Sequence, residues 1–379
     1  MSLVPSDEQK LLADSVARFL EKEYGFEARR AAAASEDGFS RAMWQRFAEL
    51  GWLGIGVPES LGGLGGGAVE TAIIMEGIGR HLVVEPYLST VVLGGSLLRQ
   101  GGAKAAAMLA PMAAGKLLLA FAHGEPRSRF DCAHVETRAA RDGGVFRLSG
   151  RKAVVLHAPS ADHLIVSTRT GGAVGETKGI TLFLVPKDAK GLRLRPYATA
   201  DGLRAAEVAL DGVAVEAGAI LGALDDGYPL IERSRDEALV ALAAEAVGAC
   251  AALVAATRDY LKTRKQFGVP IGSFQVLQHR LVDMLVAQEL TRSLVDVAAR
   301  ALGEDDPVYG ARMAAAAKAQ AGRAGRLIGQ EAVQLHGGMG MTDELAVGHY
   351  FKRLAMIDVA FGNADWHERR FAALETAAA

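Results

Sequence analysis

The hydrophobic pattern of this chain changes period twice, and that alternation restricts its fold more than any other feature. From Ser6 to about Gly115 apolar residues recur at helical spacing. Ser6 and Gln9 are placed as a capping box, and Leu12, Val16, Phe19 and Leu20 share one face. From about Leu117 to Leu221 the period drops to two. Val145 to Gly150 follows an Asp142-Gly143 turn signal, and Leu164 to Thr168, Ile180 to Val185 and Glu207 to Val213 read as further strands. From about Tyr228 long helical patterns return. One runs to about Lys262, and a second starts at Ser273 with Phe274, Leu277, Leu281, Met284 and Leu285 as its buried stripe. A third starts at Asp306-Pro307 and stops at Gly337-Gly338, and a short last helix holds Trp366, Phe371 and Leu374. The expected fold is mainly α with a central β domain, the last helices forming an antiparallel bundle. The Ala-rich run from Met313 to Gln320 reads as tight helix packing.

Composition removes several function classes. With 42 Lys and Arg against 44 Asp and Glu, the net charge of −2 gives no basic surplus for nucleic acid. Half of the 379 residues are hydrophobic and 23% are charged, which supports two or three buried cores rather than disorder. Cys132 and Cys250 are too few for a disulfide framework or a four-ligand zinc site, so no metal is expected. The richest apolar stretch, Leu239 to Ala256, is interrupted by Glu245, and the N-terminal residues lack the basic and apolar regions of a signal peptide. A protein working in the cytoplasm, off the membrane, is the expectation.

Three segments carry possible chemistry. The run Leu61-Gly-Gly-Leu-Gly-Gly-Gly67 has neither a preceding strand nor a following Lys-Ser or Lys-Thr, so an ordinary turn is expected rather than a phosphate loop. Between Tyr260 and Gln275 a helix ends in a basic cluster, turns through Gly268 and Pro270, and restarts. Arg264 there offers a planar fork for a phosphate, although cations at a helix end also complement its dipole. In Gln330-Glu-Ala-Val-Gln-Leu-His-Gly-Gly-Met-Gly340 the paired glycines let backbone approach a ligand, and Gln334 can pair with a heteroaromatic edge. A glycine helix stop is the alternative.

Taken together, in this order and separation, Arg264-Lys-Gln-Phe-Gly268 and Gln334-Leu-His-Gly-Gly-Met-Gly340 resemble the acyl-CoA dehydrogenase family. More narrowly, Met43-Trp44, Val91 to Gly95, Val155-Leu-His157 and His349 to Leu354 are similar to its bacterial pimeloyl-CoA dehydrogenase small-subunit branch. The resemblance covers nearly the whole chain. It implies an all-α domain over 1–116, a small β-barrel or sandwich over 117–225, and an antiparallel four-helix bundle over 226–379. It also implies bound FAD, oxidation of an acyl-CoA thioester to the trans-2-enoyl thioester, and electron delivery to an electron-transfer flavoprotein.

Carried over residue by residue, the resemblance splits. Members build each FAD site from two subunits, and Arg264, Gln266, Phe267, Phe274, Gln275, Gln334, Gly337 and Gly338 match the half that clamps the adenine end of a neighbour's cofactor. The half that holds the flavin ring does not match. Gly124-Glu-Pro126 followed by Arg127-Ser-Arg-Phe-Asp131 stands where members have Thr-Glu-Pro and Gly-Ser-Asp. Val154-Val-Leu-His157 replaces Trp-Ile-Thr-Asn. The carboxylate that should remove the substrate α-proton is missing from both usual places, which hold Phe361 and Ala238. Glu237 is the one displaced candidate for the base, although a step of one residue turns a helical side chain by about 100°, and solvation of an Asp236-Glu237 surface pair competes with that role.

These matches lead to a heteromeric enzyme in which this chain is the small subunit, lending a clamp to a flavin in a larger partner. A self-sufficient homo-oligomer using Glu237 and a non-catalytic scaffold are the alternatives. A nitroalkane-oxidising relative would need a carboxylate where Phe361 stands. For a dicarboxylyl thioester, Arg127, Arg129 or His157 could supply a cation; ring-bearing acyl groups are also compatible.

Overall fold

The computed structural model describes residues 4–378. The three zones of the sequence regroup into two compact units. One comprises Met1–Ala31, Ala68–Val83 and Leu239–Ala379, the other Ala32–Gly67 and Val84–Ala238. The N-terminal helices are α1 (Asp7–Glu23), α2 (Phe26–Ala34), α3 (Arg41–Glu49), α4 (Ala68–His81), α5 (Gly95–Gln100), α6 (Ala103–Ala106) and α7 (Leu109–Ala113). The C-terminal helices are α8 (Tyr228–Thr263), α9 (Gln275–Ala301), α10 (Pro307–His336), α11 (Ala346–Val359) and α12 (Ala364–Ala378).

In the first unit the expected capping box is formed. The Gln9 amide donates to Ser6 Oγ at 3.1 Å and the Ser6 amide to Gln9 Oε1 at 3.0 Å. Val16 and Leu20 point inward from α1, and Val16 packs over Gly77 of α4. Helices α4 and α8 cross in backbone contact: a Cβ on Gly79 would lie 1.8 Å from Glu245 O, and one on Gly248 would lie 1.9 Å from Glu76 O. Helix α8 is long and apolar enough to cross a membrane by length and composition alone, but 83% of that window is buried inside the protein, as suits a core helix. Asp306 caps α10 by accepting from the amides of Val308 and Tyr309, and the helix stops at His336, as its signals predict. The Ala run packs tightly, with Ala314, Ala315, Ala317 and Ala319 all buried.

Two expectations need correction here. Helix α9 starts at Gln275, because Ser273 spends its hydroxyl on Pro270 O and caps nothing. Its buried line is Met284, Gln288, Thr291, Val295 and Ala298, the side that meets α10. Of the five residues expected inside, Phe274 and Leu285 are exposed and only Met284 is fully buried. The apolar residues Val276, Val282, Leu285, Val286 and Leu290 instead lie open on the single chain.

The second unit holds α3, α5, α6 and α7, and a π-helical segment, Leu88–Gly94, every residue of which is buried. The glycine run after Leu61 is a turn, as expected: Gly62 and Gly65 take left-handed φ, and a Cβ on Gly63 would strike Val57 O at 2.1 Å. Its sheet has eight strands: β1 (Leu119–Ala122), β2 (Arg138–Asp142), β3 (Val145–Leu156), β4 (His163–Arg169), β5 (Ile180–Pro186), β6 (Leu192–Ala198), β7 (Arg204–Glu216) and β8 (Ile220–Leu221). The order is β6-β7-β3-β2-β4-β5-β8, with β1 parallel to β4 on a side branch. Alternation assigns the faces. Leu164, Val166, Phe183 and Val185 join Phe146, Leu148, Val208 and Val213 in one core, so parts of the sheet pack on each other in sandwich fashion. Ile165, Ile180 and Leu182 join Leu97, Leu98, Met112 and Ile231 in a second core against helices. Burial on both sides is why β4 and β5 read as continuous apolar runs.

Candidate functional site

The clamp residues occupy one corner of the helical unit. Helix α8 ends at Thr263, yet the Arg264 amide still donates to Tyr260 O at 2.9 Å, which holds Arg264 one turn above Tyr260. The next residues form a two-residue hairpin, β9 (Lys265–Gln266) against β10 (Val269–Pro270). At its tip Phe267 (φ 52°) and Gly268 (φ 81°) are both left-handed, the requirement of a type I′ turn. Glycine takes that conformation freely; Phe267 does not, and it is 92% exposed, its ring edge-on to that of Phe274 with centroids 6.2 Å apart. The corner is closed by Ile271 donating its amide to Arg264 O at 2.8 Å and Gln278 Nε2 donating to Gly272 O at 2.7 Å.

The second arm is the end of α10. Gly337 turns the chain at φ 61°, and a Cβ on Gly337 or Gly338 would meet no atom within 4 Å. The rings of Tyr260 and His336 stack at 4.4 Å, which brings the two motifs side by side. Arg264, Gln266, Gln275 and Gln334 are exposed, and among the described residues their side chains make no hydrogen bond or ion pair. A guanidinium fork, three unspent amides and an open glycine backbone suit a ligand that carries phosphates and a heteroaromatic ring. The residues present therefore fit the adenine and pyrophosphate of FAD.

The flavin-ring half lies in the second unit and is chemically different. The β3–β7 pairing slips between Lys152 and Val155, and at that bulge Val154 takes φ 53° with 54% of its surface exposed. A β-branched residue in that conformation is strained. His157, also left-handed at φ 55°, is buried. Aliphatic Val154 and Leu156 offer neither an aromatic stacking surface nor a hydroxyl, so the side chains here do not fit a flavin ring.

Behind the bulge is a buried ionic cluster that the sequence reading missed. Lys152 Nζ donates to Glu125 Oε1 at 2.7 Å, Ser167 Oγ at 3.0 Å and the His123 carbonyl at 3.2 Å. Glu125 also accepts from the amides of Glu136 at 2.7 Å and Thr137 at 3.0 Å. Burial opposes ionisation of Glu125, but Lys152 and these hydrogen bonds hold its carboxyl below the usual range. Burial pushes Lys152 down to about 8 against the pull of Glu125. His123, bonded to Ser167 Oγ at 2.9 Å, is driven down to about 3 by burial and by Lys152. Only the period of β3 hinted at an inward Lys152.

No free carboxylate stands at the base positions. Glu237 is paired with Arg99 at 2.6 Å and Arg233 at 3.7 Å, so two cations face it where a base needs a desolvated setting. Ala238 is fully buried. Phe361 sits at φ 56° in a turn held by buried Lys318, which donates to Asp358 O at 2.9 Å and Gly362 O at 2.7 Å, and by His367 against Phe361 O. Asp358, the nearest acid in sequence, is tied to Arg326 at 3.1 Å. Arg127 is exposed and reaches only Glu136 at 3.8 Å, and Arg129 is exposed as well. Among the described residues no group of three or more His, Cys, Asp or Glu could hold a metal.

Comparison with known proteins decides the family. The chain matches the family models for the acyl-CoA dehydrogenase N-terminal domain over residues 6–116, middle domain over 120–213 and C-terminal domain over 225–373. The chain belongs to the acyl-CoA dehydrogenase family. It is 30% identical over 372 residues to "Probable acyl-CoA dehydrogenase YngJ" of Bacillus subtilis (strain 168), covering 96% of this chain and 97% of that protein. Among solved structures it is similar to a variant of the Tcur3481-Tcur3483 steroid ACAD, with TM-score 0.89, 30% identity and coverage of 98% of this chain and 99% of that one. It is also similar to the ChsE4-ChsE5 complex from Mycobacterium tuberculosis, with TM-score 0.88, 27% identity and 99% of each chain covered. Acyl-CoA dehydrogenases are FAD flavoproteins that oxidise CH–CH bonds of acyl-CoA thioesters. That cofactor supplies the redox chemistry when bound, and the exposed donors of Arg264, Gln266, Gln275 and Gln334 beside the open Gly337-Gly338 backbone are chemically suited to its adenine end.

Proposed function

We propose that this chain is the clamp-bearing small subunit of a heteromeric acyl-CoA dehydrogenase. Its corner grips the adenine end of an FAD whose ring is seated in a larger partner, and the partner supplies the base that removes the α-proton. The observation that carries this reading is the split site: one face offers unspent, exposed donors, while the ring positions are aliphatic and the base positions hold Phe361, Ala238 and an ion-paired Glu237. The open apolar line on α9 from Val276 to Leu290 favours an assembled protein, since such a surface is costly in water. Two of the similar structures carry paired protein names, which agrees with a two-chain enzyme. Electrons would pass to an electron-transfer flavoprotein, a partner that also figures in the printed names of relatives.

The chain's own role in catalysis is then to orient the cofactor and exclude water at its adenine end. The test is to purify the chain alone and coexpressed with the product of an adjacent reading frame, and to compare flavin absorbance and acyl-CoA-dependent bleaching. The complex should carry FAD and bleach, whereas the lone chain should do neither. Stoichiometric FAD and dehydrogenation by the lone chain would instead support a self-sufficient enzyme, with Glu237→Gln then expected to abolish bleaching. No flavin and no turnover with any partner would leave a scaffold.

A further inference from the structure

We propose that Tyr260 and His336 are positioning residues whose stacked rings set the spacing between the two arms of the nucleotide clamp. The inference rests on the reading that this corner grips the adenine end of FAD. Tyr260 is joined to Arg264 by the last helical hydrogen bond of α8, so its ring lies one turn below the guanidinium. His336 is the residue immediately before the Gly337-Gly338 backbone. The rings face each other at 4.4 Å with planes 29° apart, next to the short end of the spacings at which aromatic rings attract. A shift of either ring therefore moves a phosphate-binding arm.

Each ring is held in a way that fits this task. His336 is 5% exposed, and its Nδ1 lies 2.8 Å from Ala332 O, so this nitrogen donates and the ring orientation is fixed. The following turn wraps closely on the end of α10: a Cβ on Gly340 would come 2.8 Å from Val333 O and 3.1 Å from His336 Cβ. Burial lowers the pKa of His336, which keeps the imidazole neutral for stacking. The Tyr260 hydroxyl makes no hydrogen bond among the described residues, so the phenol ring, rather than its oxygen, is what the corner uses. A separate tie, Arg280 to Glu331, joins α9 to α10.

The experiment titrates FAD and ADP calorimetrically into the flavin-stripped oligomer, with thermal midpoints measured alongside. Tyr260→Leu and His336→Gln should each weaken both ligands by roughly 3- to 10-fold, the equivalent of an aromatic pair, while the midpoint falls by about 1–6 °C. Tyr260→Phe and His336→Phe, which keep two facing rings, should restore wild-type affinity. Should one variant fail to fold, the other side of the pair reads the same quantity. Wild-type affinity in the Leu and Gln variants, or a lowered midpoint with unchanged affinity, overturns the proposal provided that Arg264→Ala weakens binding. Wild-type affinity in Arg264→Ala removes the clamp reading itself, and the positioning role with it.

Discussion

Replacing Lys152 by Met tests whether the ionic cluster behind the β3 bulge holds the second unit together. Methionine keeps most of the volume of the stem and removes the ammonium. The side chains of Lys152 and Glu125 are 0% and 1% exposed, so no water replaces the lost partner. Breaking a buried pair from one side costs about 3–5 kcal/mol. Glu125 retains two backbone N–H donors, from Glu136 and Thr137, which places the expected loss near ~3 kcal/mol. At ~2–4 °C per kcal/mol for a body of 150–250 residues, that is a fall of roughly 6–12 °C in Tm. Adding Glu125→Gln should recover about 1–2 kcal/mol, because the stranded charge disappears. The assay is urea unfolding at pH 7 and fixed protein concentration for wild type, both single variants and the double. A loss under ~1 kcal/mol for Lys152→Met, or strict additivity in the double variant, would refute this account.

Two further outcomes follow from the same geometry. Gly248→Ala places a Cβ 1.9 Å from Glu76 O and 2.7 Å from Arg80 N, both backbone atoms, so α4 and α8 must part. A loss of ~3 kcal/mol or failure to express in soluble form is expected, while Gly144→Ala, whose Cβ meets nothing, should change stability little. His123 titrates near 3 when folded and near 6.5 when unfolded, so the unfolded chain binds the extra proton between those values. Its contribution is intact above pH 6.5 and declines as pH falls towards 3, with a slope of up to ~1.4 kcal/mol per pH unit. Denaturant midpoints of His123→Asn should depend less steeply on pH by about one proton in that window; an unchanged slope removes His123 from the acid response.

The capping box of α1, the Asp306-Pro307 start and Gly337 stop of α10, and the strands with clean alternation were legible because each rests on local chemistry. The α9 stripe was not. Its apolar residues satisfy a helical period, but period does not say whether the covering surface is in the same chain, and α10 meets the small and polar side instead. The short strands β1, β2 and β6 were also missed; in Leu192–Ala198 the alternation of Leu192 and Leu194 with Arg193 and Arg195 is cut short by Pro196. At the site, Arg264, Gln266, Gln275 and Gln334 were singled out by side-chain identity, and they lie exposed. The Glu125–Lys152 pair was not, because partners 27 residues apart meet only through the sheet. Nor was Lys318, whose place in an alanine run suggests packing without showing that its ammonium is buried under the Phe361 turn.

The two half-sites differ in what they cost an unpartnered chain. At the ring half, the exposed side chain on the bulge is the aliphatic Val154, and the charges beneath are satisfied internally. At the clamp, Phe267 holds a left-handed conformation, of order 1–3 kcal/mol above an ordinary one, while keeping 92% of its surface in water. Among the described residues its one ring contact is the edge-on approach to Phe274. A surface that spends free energy in isolation gains most when another chain and its nucleotide cover it. The hairpin itself is closed by the Ile271 and Gln278 hydrogen bonds. Burial of the Phe267 hairpin in an oligomer would offset that exposure, whether the neighbour is a second copy or a different chain.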